Sequence, residues 1–112
     1  MAKIAIIYYS ATGTTYEIAR AIEEGAKQAG AEVRVLKVKE LAPEEAIASN
    51  EGWSAHRLET QNVAEATLDD LEWADAIILG TPTRYGLPSA QLKQFIDQTG
   101  GLWGQGKLIN KI

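Results

Sequence analysis

The chain of 112 residues has no cysteine and only one histidine. Without cysteine there are no disulfides, no thiolate nucleophile and no thiolate-held zinc or iron–sulfur centre. His56 alone cannot build a histidine-rich metal site, so no metal ligands are assigned. No apolar run approaches the length of a bilayer span. The apolar start, Met1–Ile7, is too short for the core of a signal peptide, and residence in the cytoplasm is expected. Cations are also scarce: 11 basic residues stand against 15 acidic ones, a net charge of −4. A nucleic-acid backbone or an anionic membrane is therefore not an expected partner. The deficit is local, because Glu40 to Asp75 holds ten carboxylates and one cation, Arg57. That stretch reads as a solvated loop face.

What is present alternates between buried strands and helices. Ile4–Tyr9 is a short apolar run rich in β-formers, as in a parallel strand covered on both faces. Thr14 to Glu17 then has the spacing of a helix capping box. Ile18, Ile22 and Ala26 follow at helical intervals, and Gly30 is a natural stop. Val33, Val35, Leu36 and Val38 mark a second strand, from about Glu32 to Lys39. Residues 42–66 are polar and weakly periodic. Glu44–Ser49 has the pattern of a helical turn or two, but Asn50-Glu-Gly52 breaks it, and the segment reads as an insertion with His56 on a loop. Thr67–Asp70 caps a short helix through Ala74, and Ala76–Gly80 is a third buried strand. Ser89 caps a further helix bearing Leu92, Phe95, Ile96 and Thr99, which ends at Gly100-Gly101. Leu102–Gly106 reads as a turn and Lys107–Ile112 as the start of an extended segment. This order predicts one α/β domain over residues 1–112 with a parallel sheet.

Two loops carry the chemistry. Ser10-Ala11-Thr12-Gly13-Thr14-Thr15 joins a buried strand directly to a helix, where unpaired N–H groups and the helix dipole favour an anion. The loop lacks the lysine of a nucleotide-hydrolase phosphate loop and the three glycines of the dinucleotide fingerprint. A cysteine phosphatase loop is excluded by composition. Four hydroxyls around one glycine exceed what a helix cap requires, so the loop reads as a neutral phosphate cradle. The second loop, Thr81–Pro88, follows the third strand. In a sheet ordered 2-1-3 it lies beside the first, at the switch point where ligands bind. Arg84 can place positive charge near a ligand there. Trp53 and Trp73 read as packing residues.

Tyr9–Thr15 resembles the phosphate loop of flavodoxins. Gly80–Gly86, together with Gln98–Trp103, is similar to the flavodoxin-like NAD(P)H:quinone oxidoreductases of the tryptophan-repressor-binding-protein type. The resemblance runs along essentially the whole chain. It implies a flavodoxin-like parallel sheet with helices on both faces, here truncated after the third strand–helix unit. It also implies FMN as cofactor, NAD(P)H as electron donor and a quinone as acceptor, in two-electron steps. Ser10, Ala11, Thr12, Gly13, Thr14 and Thr15 would then hold the FMN phosphate. Pro82, Thr83, Arg84, Tyr85 and Gly86 would lie against the isoalloxazine ring, and Trp103 would wall the substrate pocket. No catalytic side chain is assigned. Thr12 stands where many family members carry an aromatic residue.

A flavodoxin-type electron carrier, with the acidic segment docking a basic partner, is the alternative reading. An inactive fragment that binds FMN or phosphate is a third. A homo-oligomer is expected, with strand exchange as one route, since the third strand would otherwise be an apolar edge. FMN affinity is expected to fall below that of an intact family member.

Overall fold

The computed structural model describes residues 1–112. Its centre is a parallel sheet of β1 (Lys3–Tyr8), β2 (Glu32–Lys37) and β3 (Ala76–Gly80), in the order β2-β1-β3. Ile6 is registered against Val35 on one side and Ile78 on the other. β1 is central and faces helices above and below, which is why its sequence is an unbroken apolar run. Ala5, Ile7 and Tyr9 join the larger core with Leu71, Leu92, Phe95 and Leu102. Ile6 and Tyr8 face the other way and pack with Ala19. The α/β fold with helices on both faces is thus confirmed.

α1 (Thr14–Gln28) covers that second face. Its buried line is rotated from the expected one: Ala19 is buried, whereas Ile18 is 57% exposed. A methyl-sized residue at the contact lets the helix lie close to the sheet. The helix also starts differently from expectation, since its N-cap is Gly13 and no side chain caps it. Thr14 is the first helical residue, so the Thr14–Glu17 capping box does not form.

Residues 42–66 are not a loop. They fold into α2 (Glu44–Ala48) and α3 (Glu51–Glu59). Asn50, read as a breaker, caps α3 by accepting from the Trp53 N–H at 3.0 Å. α4 (Leu68–Trp73) starts as expected: Asp70 Oδ2 accepts from the Thr67 N–H at 2.8 Å and from the Thr67 hydroxyl at 2.9 Å. Arg34 pairs with Asp70 at 2.9 Å and lies 3.9 Å over the Trp73 ring.

The acidic stretch is a largely solvated face as expected, though not a loop: eight of its ten carboxylates are exposed, and only Glu40 and Asp70 are withdrawn from solvent. Glu44 pairs with Arg57, Glu72 with Lys107, and Asp75 accepts from the Lys3 N–H.

After β3 the chain makes a hairpin of β4 (Thr83–Arg84) and β5 (Leu87–Pro88). Tyr85 and Gly86 turn it with φ of 56° and 80°, the double positive φ of a tight two-residue hairpin turn. α5 (Ala90–Asp97) is capped by Ser89, which accepts from the Leu92 N–H. It buries Leu92 and Phe95 as its spacing predicts. Three expectations fail beyond it, the first being the turn at Leu102–Gly106, whose residues Leu102–Gly104 are helical. Gly100 and Gly101 open α6 (Gly100–Gly104) instead of ending a helix. Residues 107–110 are a turn, and only Ile112 pairs with the sheet, accepting from the Ile77 N–H at 2.7 Å and donating to Asp75 O at 3.1 Å.

Candidate functional site

The C-terminal ends of β1 and β3 carry the two loops that chemistry singled out. In the first, Gly13 has φ +115°, a conformation that L side chains rarely adopt. The Gly13 N–H donates to Ser10 Oγ at 3.2 Å, which draws the loop into a tight curl. With no side-chain cap, the N–H groups of the first turn of α1 are left without a protein acceptor. Free amides at the positive end of a 15-residue helix are the donor set that an anion requires.

The second loop is pinned at its base, where the Ser89 N–H donates to Thr81 Oγ1 at 2.9 Å. The two loops meet in a cleft of about 310 Å³. Ser10, Ala11, Thr12, Thr14 and Thr15 line one side, Pro82 and Arg84 another, and Asn50 and Trp53 a third. Gly13 shapes the loop without lining the cleft. Thr83 accepts from the Gly86 N–H at 3.1 Å and so serves the hairpin. Tyr85 projects fully exposed from the hairpin tip. Trp103 is not brought to the cleft. On α6 its neighbour Leu102 takes the inward position, and Trp103 is left exposed beside Leu108 and Ile109.

The sequence profile of the family described as NADPH-dependent FMN reductase matches residues 2–112. The chain belongs to that family. It is 50% identical over 109 residues to an NAD(P)H dehydrogenase (quinone) of Deinococcus radiodurans, covering 97% of this chain and 54% of that protein. A protein of the same name from Archaeoglobus fulgidus is 44% identical over 112 residues, covering all of this chain and 59% of that one. Among solved structures, the flavodoxin, WrbA-like protein from Agrobacterium tumefaciens superposes with a TM-score of 0.63 at 30% identity. That match covers 99% of this chain and 55% of that one. The chain therefore spans about half the length of the curated relatives it matches.

In this FMN reductase family member, four residues that the sequence did not single out for the site bear on the cleft: Asn50 and Trp53 line it, Glu40 holds Trp53, and His56 lies against Gly13. Glu40, just beyond β2, accepts five hydrogen bonds. Leu41 N–H, Ala42 N–H and the Gln91 amide reach Oε1 at 2.9, 3.0 and 2.7 Å. The Tyr9 hydroxyl and the Trp53 indole N–H reach Oε2 at 2.7 and 3.2 Å. Burial pushes the Glu40 carboxyl up, but the hydrogen bonds from Ala42, Tyr9, Gln91 and Trp53 outweigh it and hold the pKa below the usual range. Burial, together with that same carboxylate, raises the Tyr9 phenol.

His56 is buried on α3, not on a loop, and packs with its ring tilted 59° against Tyr16, centroids 5.4 Å apart. A Cβ at Gly13 would lie 3.4 Å from its Nδ1, so the imidazole supports the phosphate-type loop from behind. Burial lowers the His56 pKa, with Glu59 opposing and Lys37 adding to the shift. Tyr8 is buried against Tyr16, its hydroxyl has no partner, and burial pushes its pKa to about 12. One signal for the helix was present in the sequence: Asn50 at N-cap position with Trp53, His56 and Thr60 on one helical face. Their polarity hid it from a search for apolar periodicity.

Proposed function

We propose that the cleft binds FMN, and that the protein acts as an NAD(P)H:quinone oxidoreductase, passing two electrons from the nicotinamide to a quinone through the flavin. The observation that carries this reading is the convergence of an uncapped α1 N-terminus with the Pro82–Arg84 loop in one cleft. The family match and the names of the relatives support it.

The residues fit the group. Free amides of Thr14 and Thr15, with the hydroxyls of Ser10, Thr12, Thr14 and Thr15, suit a phosphate dianion without any lysine. When bound, FMN supplies a ring that accepts and returns electron pairs. The chain's own part is to hold the phosphate and to orient the ring along Pro82–Gly86. Arg84, exposed at the cleft, supplies a fixed positive charge where negative charge grows on reduction. Tyr85 and Leu87 stand exposed on the same hairpin and are available to a ligand or to a second subunit. Trp103 serves the substrate pocket in this proposal only if another subunit brings it there.

The proposal includes a cytoplasmic homo-oligomer in which residues 1–112 of each chain belong to one flavodoxin-like domain, incomplete in this chain. The exposed apolar side chains of Leu87, Trp103 and Ile109 support the oligomer. No helix is long and apolar enough to cross a membrane. The electron-carrier reading draws on Thr12 and the acidic segment, of whose ten carboxylates only Glu40 and Asp70 are engaged inside the fold.

The test is direct. Protein purified with added FMN should carry a shifted flavin visible spectrum after gel filtration, and should oxidise NAD(P)H faster when benzoquinone is present. A colourless protein would sink the cofactor reading. A yellow protein indifferent to quinone would return the carrier reading.

A further inference from the structure

The insertion helix α3 touches the phosphate-type loop on successive turns. Its first turn puts Gly52 against Thr12, where an added Cβ would lie 3.7 Å from Thr12 Cγ2. Trp53 lines the cleft itself. His56, three residues on, lies behind Gly13. Trp53 is only half-buried, yet it is not free to swing. Asn50 fixes its backbone N–H at 3.0 Å and Glu40 fixes its indole N–H at 3.2 Å. Glu40 cannot follow a moving indole either, because Leu41, Ala42, Tyr9 and Gln91 hold its two oxygens from three other directions.

We propose that Trp53 is a wall of the FMN cleft and that Glu40 is the positioning residue that sets its orientation. The inference rests on the FMN reading and adds two residues from outside both loops. The indole has a single donor, and Glu40 takes it. Trp53 therefore meets a ligand with ring surface alone. It adds shape and stacking to a site whose polar contacts come from the loop amides. A ligand anchored by its phosphate at α1 must extend between this ring and the Pro82–Arg84 side. Trp53 thus favours a phosphate ester carrying a flat aromatic system over phosphate by itself.

The experiment measures FMN affinity of the 112-residue chain through flavin fluorescence, and inorganic phosphate binding through the thermal shift it produces. Trp53→Ala should weaken FMN binding about tenfold, the scale of one aromatic contact. Its phosphate shift should be unchanged. Trp53→Phe keeps a ring but loses the N–H. Glu40→Gln keeps an oxygen for Leu41 and Ala42 but turns an amide toward the indole. Each should weaken FMN severalfold, and the double variant should be no worse than either alone, because both break one contact. Glu40→Gln should also shift the Trp53 emission, taken as the difference from the Trp53→Phe spectrum.

Unchanged FMN affinity in Trp53→Ala would overturn the inference while the FMN reading stood. So would additive effects of Trp53→Phe and Glu40→Gln, or an equal loss of phosphate binding in all variants. Failure of the wild-type chain to bind FMN would remove both. If Glu40→Gln does not fold, the two Trp53 variants decide the wall.

Discussion

Two hydrogen-bonding regions, the proposed phosphate loop and the Glu40 carboxylate, lie at the same end of the sheet and are built in opposite ways. The Ser10–Thr15 loop gathers donors and supplies no internal acceptor for the first turn of α1. Glu40, just beyond the end of the neighbouring strand β2, is an internal anion whose oxygens are saturated by five donors. Open donors are what a ligand site needs, because an arriving phosphate then replaces water and not a protein partner. A saturated carboxylate is what a joint needs, because every donor it holds would be stranded if it left. The first region is built for exchange and the second for rigidity. α3 connects them, with Trp53 on one and His56 behind the other.

The contrast breaks most visibly at Glu40. Glu40→Ala strands the Tyr9 hydroxyl, the Trp53 indole and the Gln91 amide, and should cost about 3 kcal/mol of stability by denaturant titration. Equal stability of Glu40→Ala and wild type would mean that water replaces the carboxylate without loss. Gly13→Ala comes next. It forces a Cβ into φ +115° and against His56. It should cost about 2 kcal/mol. The same variant should lose FMN binding, because the curl that aims the amides is distorted.

Acid should separate the regions further. His56 is depressed by burial, so its folded form binds fewer protons than the unfolded chain. Its contribution is fully present above the ordinary histidine pKa, about 6.5. It is lost as the pH falls through the depressed folded value. Glu40 is also depressed, but its contribution persists to lower pH, down to the ordinary glutamate pKa of about 4.3, before it too is lost. Melting temperatures should therefore fall in two stages on acidification, and His56→Gln should remove the first. A single stage in wild type would mean that His56 titrates normally. The smallest effect is expected at the exposed Arg57–Glu44 pair, where Glu44→Gln should leave the melting temperature unchanged. A clear drop there would show that α2 and α3 depend on surface charge and not on the Glu40 joint.

The sequence alone determined the features that depend on local chemistry. A doubly covered central strand must be apolar throughout, so Ile4–Tyr9 announced the parallel sheet. A Gly- and hydroxyl-rich link from strand to helix leaves amides open wherever the helix points, so Ser10–Thr15 announced the open amides of α1 that the proposed phosphate site uses. Thr67 and Ser89 announced their helices by capping. Tertiary structure decided what depends on partners far along the chain. α3 buries a face of Trp53, His56 and Thr60, which has no apolar periodicity and becomes meaningful only against the Gly13 loop. Trp103 faces outward because Leu102 takes the core, and a short helix can turn only one of two adjacent residues inward. Glu40 looked like one more charge in an acidic run. Two of its five donors are its neighbours Leu41 and Ala42, but the other three come from Tyr9, Trp53 and Gln91, up to 51 positions away, and only folding brings those in.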